Sequence, residues 1–136
     1  REENKAMSTE TKKLIAAALK ARKNAYAPYS GFKVGAAVLC SDKSAYKGCN
    51  VENASYGAAL CAERNALCAA VADGKREFIA LAVVCSGEDY AFPCGICRQV
   101  IGELAPQAVI ILENSKGELR EYNIEALLPQ RFYLKK

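Results

Sequence analysis

A chain of 136 residues, of which 51% are hydrophobic and 25% charged, has room for one hydrophobic core but not for two. The formal net charge of +4 is mild, and its lysines and arginines are spread along the chain, which predicts a solvated surface rather than a nucleic-acid groove. No apolar run reaches the length needed to cross a bilayer, so we expect no membrane role.

Residues 1–7, REENKAM, are polar and unpatterned. Ser8 or Thr9 can cap a helix that follows, in which apolar residues recur at helical spacing up to about Tyr26. We therefore expect a flexible tail over residues 1–7, then a scaffold helix, and one domain over residues 8–136.

Short apolar runs separated by turn residues predict five strands. Two longer helices and one short helix are predicted to alternate with them. The strands are expected at 32–40, 45–49, 78–85, 108–112 and 119–122, and the helices at 61–72, 93–104 and 124–128. The run at 78–85 has the unbroken apolar core IALAVVC, which is typical of a strand buried on both faces. This alternation predicts an α/β protein with at least one parallel strand pair, in which the two longer helices lie side by side.

Three cysteines are predicted to meet in space as metal ligands: Cys61, and Cys94 with Cys97. A Cys-x-x-Cys pair that follows Pro93 at a helix start points both sulfurs the same way, and thiolates are preferred ligands of zinc. The chain has no histidine. A catalytic zinc site keeps three protein ligands and leaves the fourth position to water, so we predict a catalytic zinc site. The alternative is a redox pair formed by Cys94 and Cys97.

The remaining four cysteines stand at no ligand spacing from one another and are predicted to be small buried hydrophobes. They are Cys40, Cys49, Cys68 and Cys85. Seven cysteines form no evident disulfide framework, and no basic head with an apolar core precedes them, so we expect a reducing cytoplasm.

Glu63 stands two residues after Cys61 and is predicted to carry protons. If both begin one helix, the sulfur can reach the metal while the carboxylate faces whatever binds beside it. The alternative for Glu63 is a solvated helix carboxylate. Three thiolates around a dication leave the site formally anionic, so a nearby cation is expected. Arg64 is the first candidate and Arg98 a weaker second. The alternative for Arg64 is a surface salt bridge.

A Cys-x-Glu motif followed by Pro-Cys-x-x-Cys is a signature of zinc deaminases. The stretch GCNVENASYGAALCAERN at 48–65, with PCGICRQV at 93–100 and AYAPYSGFKVGAA at 25–37, resembles the small cytidine deaminases of nucleoside salvage. The resemblance runs from about Leu14 to Phe132. It implies a three-layer αβα fold with a five-stranded mixed sheet, one Zn²⁺ per chain, a homotetramer, and hydrolytic deamination of cytidine or deoxycytidine in pyrimidine salvage.

The resemblance also implies residue roles. Phe32 would lie against the pyrimidine face, Asn50 and Glu52 would hold the ribose, and Arg64 would donate to the ligand sulfurs. The aromatic Phe132 would reach into the pocket of a neighbouring chain. The full set of implied substrate-binding residues is Phe32, Asn50, Glu52, Ala54, Tyr56 and Phe132. Phe32 could equally be a core residue, and Asn50 and Glu52 could be turn formers.

Other functions stay open at this point. Deaminases of the blasticidin S type share the PCGxCRQV stretch but resemble this chain less around 50–56. A non-catalytic zinc-stabilised binding module and a polynucleotide-editing deaminase are the remaining alternatives. We expect a free nucleoside as substrate, because a chain phosphate on the 3′-oxygen would set negative charge against the Glu52 carboxylate.

Overall fold

The computed structural model describes residues 8–136. Its five strands are Val34–Cys40 (β1), Ala45–Cys49 (β2), Phe78–Cys85 (β3), Val109–Glu113 (β4) and Leu119–Tyr122 (β5). They form one sheet in the order β2–β1–β3–β4–β5, in which β3 and β4 run parallel and all other neighbours run antiparallel. The predicted mixed sheet with a parallel pair is confirmed. The tail predicted over residues 1–7 lies outside the described residues.

Within residues 8–136, four α-helices accompany the sheet: Thr9–Arg22 (α1), Ala62–Ala72 (α2), Gly95–Leu104 (α3) and Ile124–Leu127 (α4). Helix α1 covers one face, where its buried residues pack against Leu39, Val84 and Ile111. Helices α2 and α3 cover the opposite face, where Leu67 and Ile101 lie in the larger core. The three-layer αβα arrangement is therefore confirmed, and no helix within residues 8–136 is long and apolar enough to cross a bilayer.

The end of α1 differs from the prediction. The helix begins after Ser8, whose hydroxyl oxygen accepts from the Thr11 N–H at 3.1 Å, but it ends at Arg22 rather than near Tyr26. The backbone of Tyr26 is engaged elsewhere: its N–H donates to the Asn50 carbonyl at 3.0 Å, and its carbonyl accepts from the Glu52 N–H at 2.8 Å. Pairing with a distant loop therefore replaces the last helical turn.

Gly48 of β2 allows α2 to lie unusually close to the sheet. A Cβ atom at Gly48 would stand 2.4 Å from the Ala66 nitrogen and 2.5 Å from the Ala62 oxygen, which no side chain can occupy. Because Asn50 follows this glycine and Glu63 follows Ala62, the close contact fixes the start of α2 relative to the loop after β2.

The four cysteines outside the metal motif do not share one environment. Cys40 and Cys85 are buried, as predicted, and Cys49 is half-buried. Cys68 is exposed, so its predicted burial is wrong. The apolar stripe of α2 is carried by Ala66, Leu67 and Ala70, which places Cys68 on the solvent side of the helix.

Candidate metal and substrate site

Two helices begin at the same point, and each brings cysteine sulfur to it. Cys61 is the N-cap residue of α2, Cys94 is the N-cap residue of α3, and Cys97 lies in the first turn of α3. Their three Sγ atoms lie within 4.8 Å of one another, and the Cys61 and Cys94 sulfurs are 3.8 Å apart. The positive ends of both helix dipoles meet here and favour thiolates. The predicted convergence of the three cysteines is thus present.

The spacing of the sulfurs fits zinc. With zinc–sulfur bonds of about 2.3 Å, a tetrahedral site holds its sulfurs about 3.8 Å apart. The Sγ atoms of Cys61 and Cys94 are this far apart, and the three Sγ atoms, which lie within 4.8 Å of one another, would need to approach by at most about 1 Å to bind zinc. The third sulfur also argues against a simple redox pair of Cys94 and Cys97.

The protonation states of the Cys61 and Cys97 sulfurs also favour a bound dication. A hydrogen bond from the Cys97 thiol, helped by Arg64 and Cys94, lowers the pKa of Cys61. The pKa of Cys97 is raised, because its proton is held in that hydrogen bond and because the group is buried. The Cys61 thiolate is therefore stable here on its own, whereas a Cys97 thiolate needs a dication beside it. Zinc is one of the metals that thiolate ligands prefer, and with three protein ligands it keeps a fourth position open.

Arg64 supplies positive charge beside the sulfurs. Its Nη2 donates to the Cys61 Sγ at 3.7 Å and to the Ala59 carbonyl at 3.4 Å. Its Nε is buried and finds no acceptor among residues 8–136. Arg98 has a different environment: it donates to the carbonyls of Pro93 and Leu127, both at 2.7 Å. The guanidinium of Arg98 therefore ties the backbone before Cys94 to the end of α4.

Glu63 lies in the first turn of α2 and is only 5% exposed, so it is not a solvated helix carboxylate. Its pKa is raised to about 7, mainly by burial and to a smaller extent by the negative charge of Cys61, while a backbone hydrogen bond and the charge of Arg64 oppose the increase. A carboxyl group whose pKa lies near neutrality can both accept and donate a proton at working pH. Its place beside the sulfur cluster makes it the candidate proton carrier.

Asn50 connects the loop after β2 to the start of β1. Its Nδ2 donates to the Phe32 carbonyl at 2.9 Å, and its Oδ1 accepts from the Val34 N–H at 2.8 Å. One amide hydrogen and one lone pair stay available for a ligand. Phe32 itself is 42% exposed and therefore is not a core residue.

Glu52 is held by the turn that follows α1. Its Oε1 accepts from the backbone N–H groups of Tyr29 at 2.9 Å and Ser30 at 3.3 Å, and its Oε2 accepts from the Ser30 hydroxyl. The Ser30 hydroxyl bond, followed by the Tyr29 N–H bond, lowers the pKa of Glu52. Glu52 is therefore an ionised, oriented carboxylate at neutral pH.

The other three residues implied for substrate binding are exposed in this chain. Ala54 precedes a short 3-10 turn at Tyr56–Ala58, and Tyr56 is 90% exposed. Phe132 is 70% exposed, although its carbonyl accepts from Gln99 Nε2 on α3 at 2.8 Å. Neither Tyr56 nor Phe132 therefore lies in the interior of its own chain.

Two residues near the site had no predicted role. Asn65 of α2 donates through Nδ2 to the Cys49 carbonyl at 2.8 Å and so connects the helix that begins after Cys61 to β2. Ser30 holds Glu52, as described above. Both are short polar residues at ordinary helix or turn positions, and the partner of each is distant along the chain. The only signal for either is its place within the motif stretches 25–37 and 48–65.

Comparison with known proteins gives a consistent result. The family model of the cytidine and deoxycytidylate deaminase zinc-binding region matches residues 8–113. The chain is 49% identical over 124 residues to a cytidine deaminase of Sporosarcina psychrophila, covering 90% of this chain and 91% of the relative. It is 48% identical over 120 residues to a cytidine deaminase of Halalkalibacterium halodurans, covering 88% and 91%.

Solved structures agree. A crystal structure of cytidine deaminase from Burkholderia pseudomallei superimposes with a TM-score of 0.86 at 49% identity, covering 93% of this chain and 100% of that one. A cytidine deaminase from Mycobacterium tuberculosis gives a TM-score of 0.80 at 39% identity, also covering 93% and 100%.

Proposed function

We propose that this chain, which belongs to the cytidine and deoxycytidylate deaminase family, catalyses the hydrolytic deamination of cytidine or deoxycytidine to the corresponding uridine and ammonia. The observation that carries the proposal is a buried carboxyl group, Glu63, beside three converging cysteine sulfurs at two helix N-termini. A purely structural zinc module has no use for such a carboxyl group, because burying it costs free energy.

Cys61, Cys94 and Cys97 would hold zinc, which supplies the Lewis acidity that lets water act as a nucleophile near neutral pH. Glu63 takes a proton from that water and passes it to the ring nitrogen of the pyrimidine as the carbon–oxygen bond forms. Glu63 then carries the second water proton to the exocyclic amine. The carbon–nitrogen bond breaks and ammonia leaves. Arg64 stabilises the thiolates by donating to Cys61.

The remaining polar groups would hold the nucleoside. Asn50 and Glu52 offer a free amide hydrogen and an ionised carboxylate to the sugar hydroxyls. Phe32 offers an exposed ring to the pyrimidine face. We also include Ala54 and Tyr56, which follow Glu52 in the same loop, among the substrate contacts.

The choice between nucleoside and polynucleotide rests on Glu52. Its carboxylate can accept a hydrogen bond from a free 3′-hydroxyl, but it repels a phosphate at that position. We expect turnover of cytidine to exceed that of 3′-CMP and of a cytosine-containing oligonucleotide by roughly tenfold or more. The measurement compares initial rates on the three substrates. In the Glu52→Gln variant, we expect the difference in turnover between cytidine and 3′-CMP to become smaller. Efficient deamination of the oligonucleotide would instead establish a polynucleotide-editing enzyme.

A nucleoside panel separates the remaining alternatives. A deaminase of the blasticidin S type would turn over that compound well and cytidine poorly. A zinc-stabilised binding module would contain the metal and turn over neither.

We further propose that the active form is a homotetramer in which Phe132 contributes to the site of a neighbouring chain. Large apolar side chains are exposed around the 3-10 turn and the C-terminal segment, namely Tyr56, Phe132, Tyr133 and Leu134. Apolar groups exposed in this way are typical of a subunit interface. Sedimentation velocity should give the mass of four chains, and a fully active monomer would contradict this proposal.

The cellular setting that we propose is a reducing cytoplasm, where the enzyme serves pyrimidine salvage. The Cys61 and Cys94 sulfurs lie 3.8 Å apart, so an oxidising environment could join two of the three ligands in a disulfide. All seven cysteines are free. A reducing compartment keeps the thiols available for zinc.

A further inference from the structure

We propose that Ser30 is a positioning residue for the sugar-binding carboxylate: its hydroxyl orients Glu52 toward the 3′-hydroxyl of the substrate. This inference rests on the proposed nucleoside function. Neither the metal nor the proton carrier takes part in it, because Ser30 and Glu52 lie in the two loops that follow α1 and β2.

The geometry around Ser30 joins three groups through one hydroxyl. The Ser30 Oγ donates to Glu52 Oε2 and accepts from the Phe32 N–H at 3.0 Å. The Ser30 backbone N–H donates to the other carboxylate oxygen, Oε1, together with the Tyr29 N–H. A single side chain therefore connects the carboxylate proposed for the sugar to the backbone of the aromatic residue proposed for the base.

The turn that carries Ser30 is itself fixed. The Gly31 N–H donates to the Ala27 carbonyl at 2.9 Å, and Gly31 has φ +71°, a conformation that glycine adopts without strain. At the other end, Tyr26 exchanges backbone hydrogen bonds with Asn50 and Glu52. The Ser30 contact with Glu52 is thus a second connection between the turn after α1 and the loop after β2, in addition to the backbone pairing of Tyr26.

The occupied lone pairs decide what the carboxylate can still bind. An ionised carboxylate offers about four acceptor positions. Two donors occupy Oε1 of Glu52, and the Ser30 hydroxyl occupies one position on Oε2. The second position on Oε2 is the one left for a substrate hydroxyl. Without the Ser30 hydroxyl, the Glu52 carboxylate could rotate about its Cγ–Cδ bond, and the free acceptor position on Oε2 would no longer point toward the substrate hydroxyl.

A purely structural role for this contact is a poor fit. Ser30 is exposed, and hydrogen bonds between exposed groups add little to folding stability because water replaces them. The contact is therefore expected to act on substrate binding rather than on the fold.

The test compares substrates with and without the 3′-hydroxyl. For Ser30→Ala, we expect the KM for cytidine and deoxycytidine to rise roughly fivefold or more, with kcat changed less than about twofold. The KM for 3′-deoxycytidine should not change, because that substrate offers no hydroxyl to Glu52. Ser30→Thr, which keeps the hydroxyl, should restore the KM for cytidine.

Ser44→Ala is the matched control. Ser44 also donates its hydroxyl and its backbone N–H to one carboxylate, that of Asp42, at 2.6 and 3.0 Å, but in the turn between β1 and β2. This variant should leave all three KM values unchanged. Thermal unfolding of each variant checks that the fold is kept.

Two outcomes would overturn the inference alone: an unchanged KM for cytidine in Ser30→Ala, or an equal rise for cytidine and 3′-deoxycytidine. A wild-type chain that turns over none of the three nucleosides would overturn the proposed function together with this inference.

Discussion

Replacing Glu63 with glutamine is expected to lower kcat for cytidine by roughly two to four orders of magnitude, the usual contribution of general acid–base catalysis, while zinc stays bound. Glutamine keeps the shape of the side chain and leaves all three sulfurs in place. It cannot take a proton from water or return one to the leaving amine. The measurement pairs initial rates with the zinc content of the same preparation.

Glu10→Gln is the control for this variant. Glu10 is also an acidic residue in the first turn of a helix, but it is exposed on α1 and pairs with Lys43. Its replacement should leave turnover unchanged. Near-normal turnover in Glu63→Gln with a full complement of zinc would remove Glu63 from the mechanism.

Cys94→Ala is expected to have the largest effect on the metal. It removes one of the three sulfurs that would bind the metal. Loss of a residue that only contacts a ligand can already lower metal affinity by up to about a hundredfold, so loss of a ligand itself should lower zinc affinity by more than that. Metal binding and folding are coupled at such sites, so the melting temperature should fall as well. Metal analysis after dialysis and thermal unfolding with and without added zinc measure both effects.

Cys68→Ala provides a matched comparison. Cys68 and Cys94 are both exposed, so neither replacement leaves a cavity in the core. Only Cys94 lies in the sulfur cluster. A Cys94→Ala chain that keeps one tightly bound zinc would show that the metal is held by other groups.

The elements that could be predicted are those set by local patterns. The strands at Ala45–Cys49, Phe78–Cys85 and Leu119–Tyr122 have the predicted bounds, because each is a short run with turn residues at both ends. The three-cysteine cluster was likewise predictable, since Cys94 and Cys97 share one helix start and a third sulfur ligand had to come from another part of the chain.

What escaped prediction depends on contacts between distant parts of the chain. The early end of α1 follows from the pairing of Tyr26 with the loop at Asn50, which no local propensity encodes. The role of Ser30 depends on a carboxylate that lies 22 residues away along the chain. The exposure of Cys68 follows from which side of α2 packs on the sheet. Each of these features is decided by tertiary packing rather than by residue type.

The contact between Arg64 and Cys61 also bears on the charge of the three-cysteine cluster. The Cys61 sulfur stands at a helix N-terminus, accepts a hydrogen bond from Arg64, and has a lowered pKa. Each additional thiolate adds negative charge that would weaken the Lewis acidity of a bound dication. A guanidinium that donates to a ligand sulfur withdraws part of that charge without occupying a coordination position.

The most direct test of the central claim, that the three-cysteine cluster and Glu63 form a zinc-dependent cytidine deaminase, is a metal depletion and return experiment on the wild-type chain. The loss of cytidine is followed by ultraviolet absorbance, and zinc is measured in the same samples. We expect turnover to disappear when a chelator removes the metal and to return in proportion to added zinc, reaching its full value at about one zinc per chain. Undiminished turnover by the zinc-free chain, or no turnover by the fully zinc-loaded chain, would contradict it.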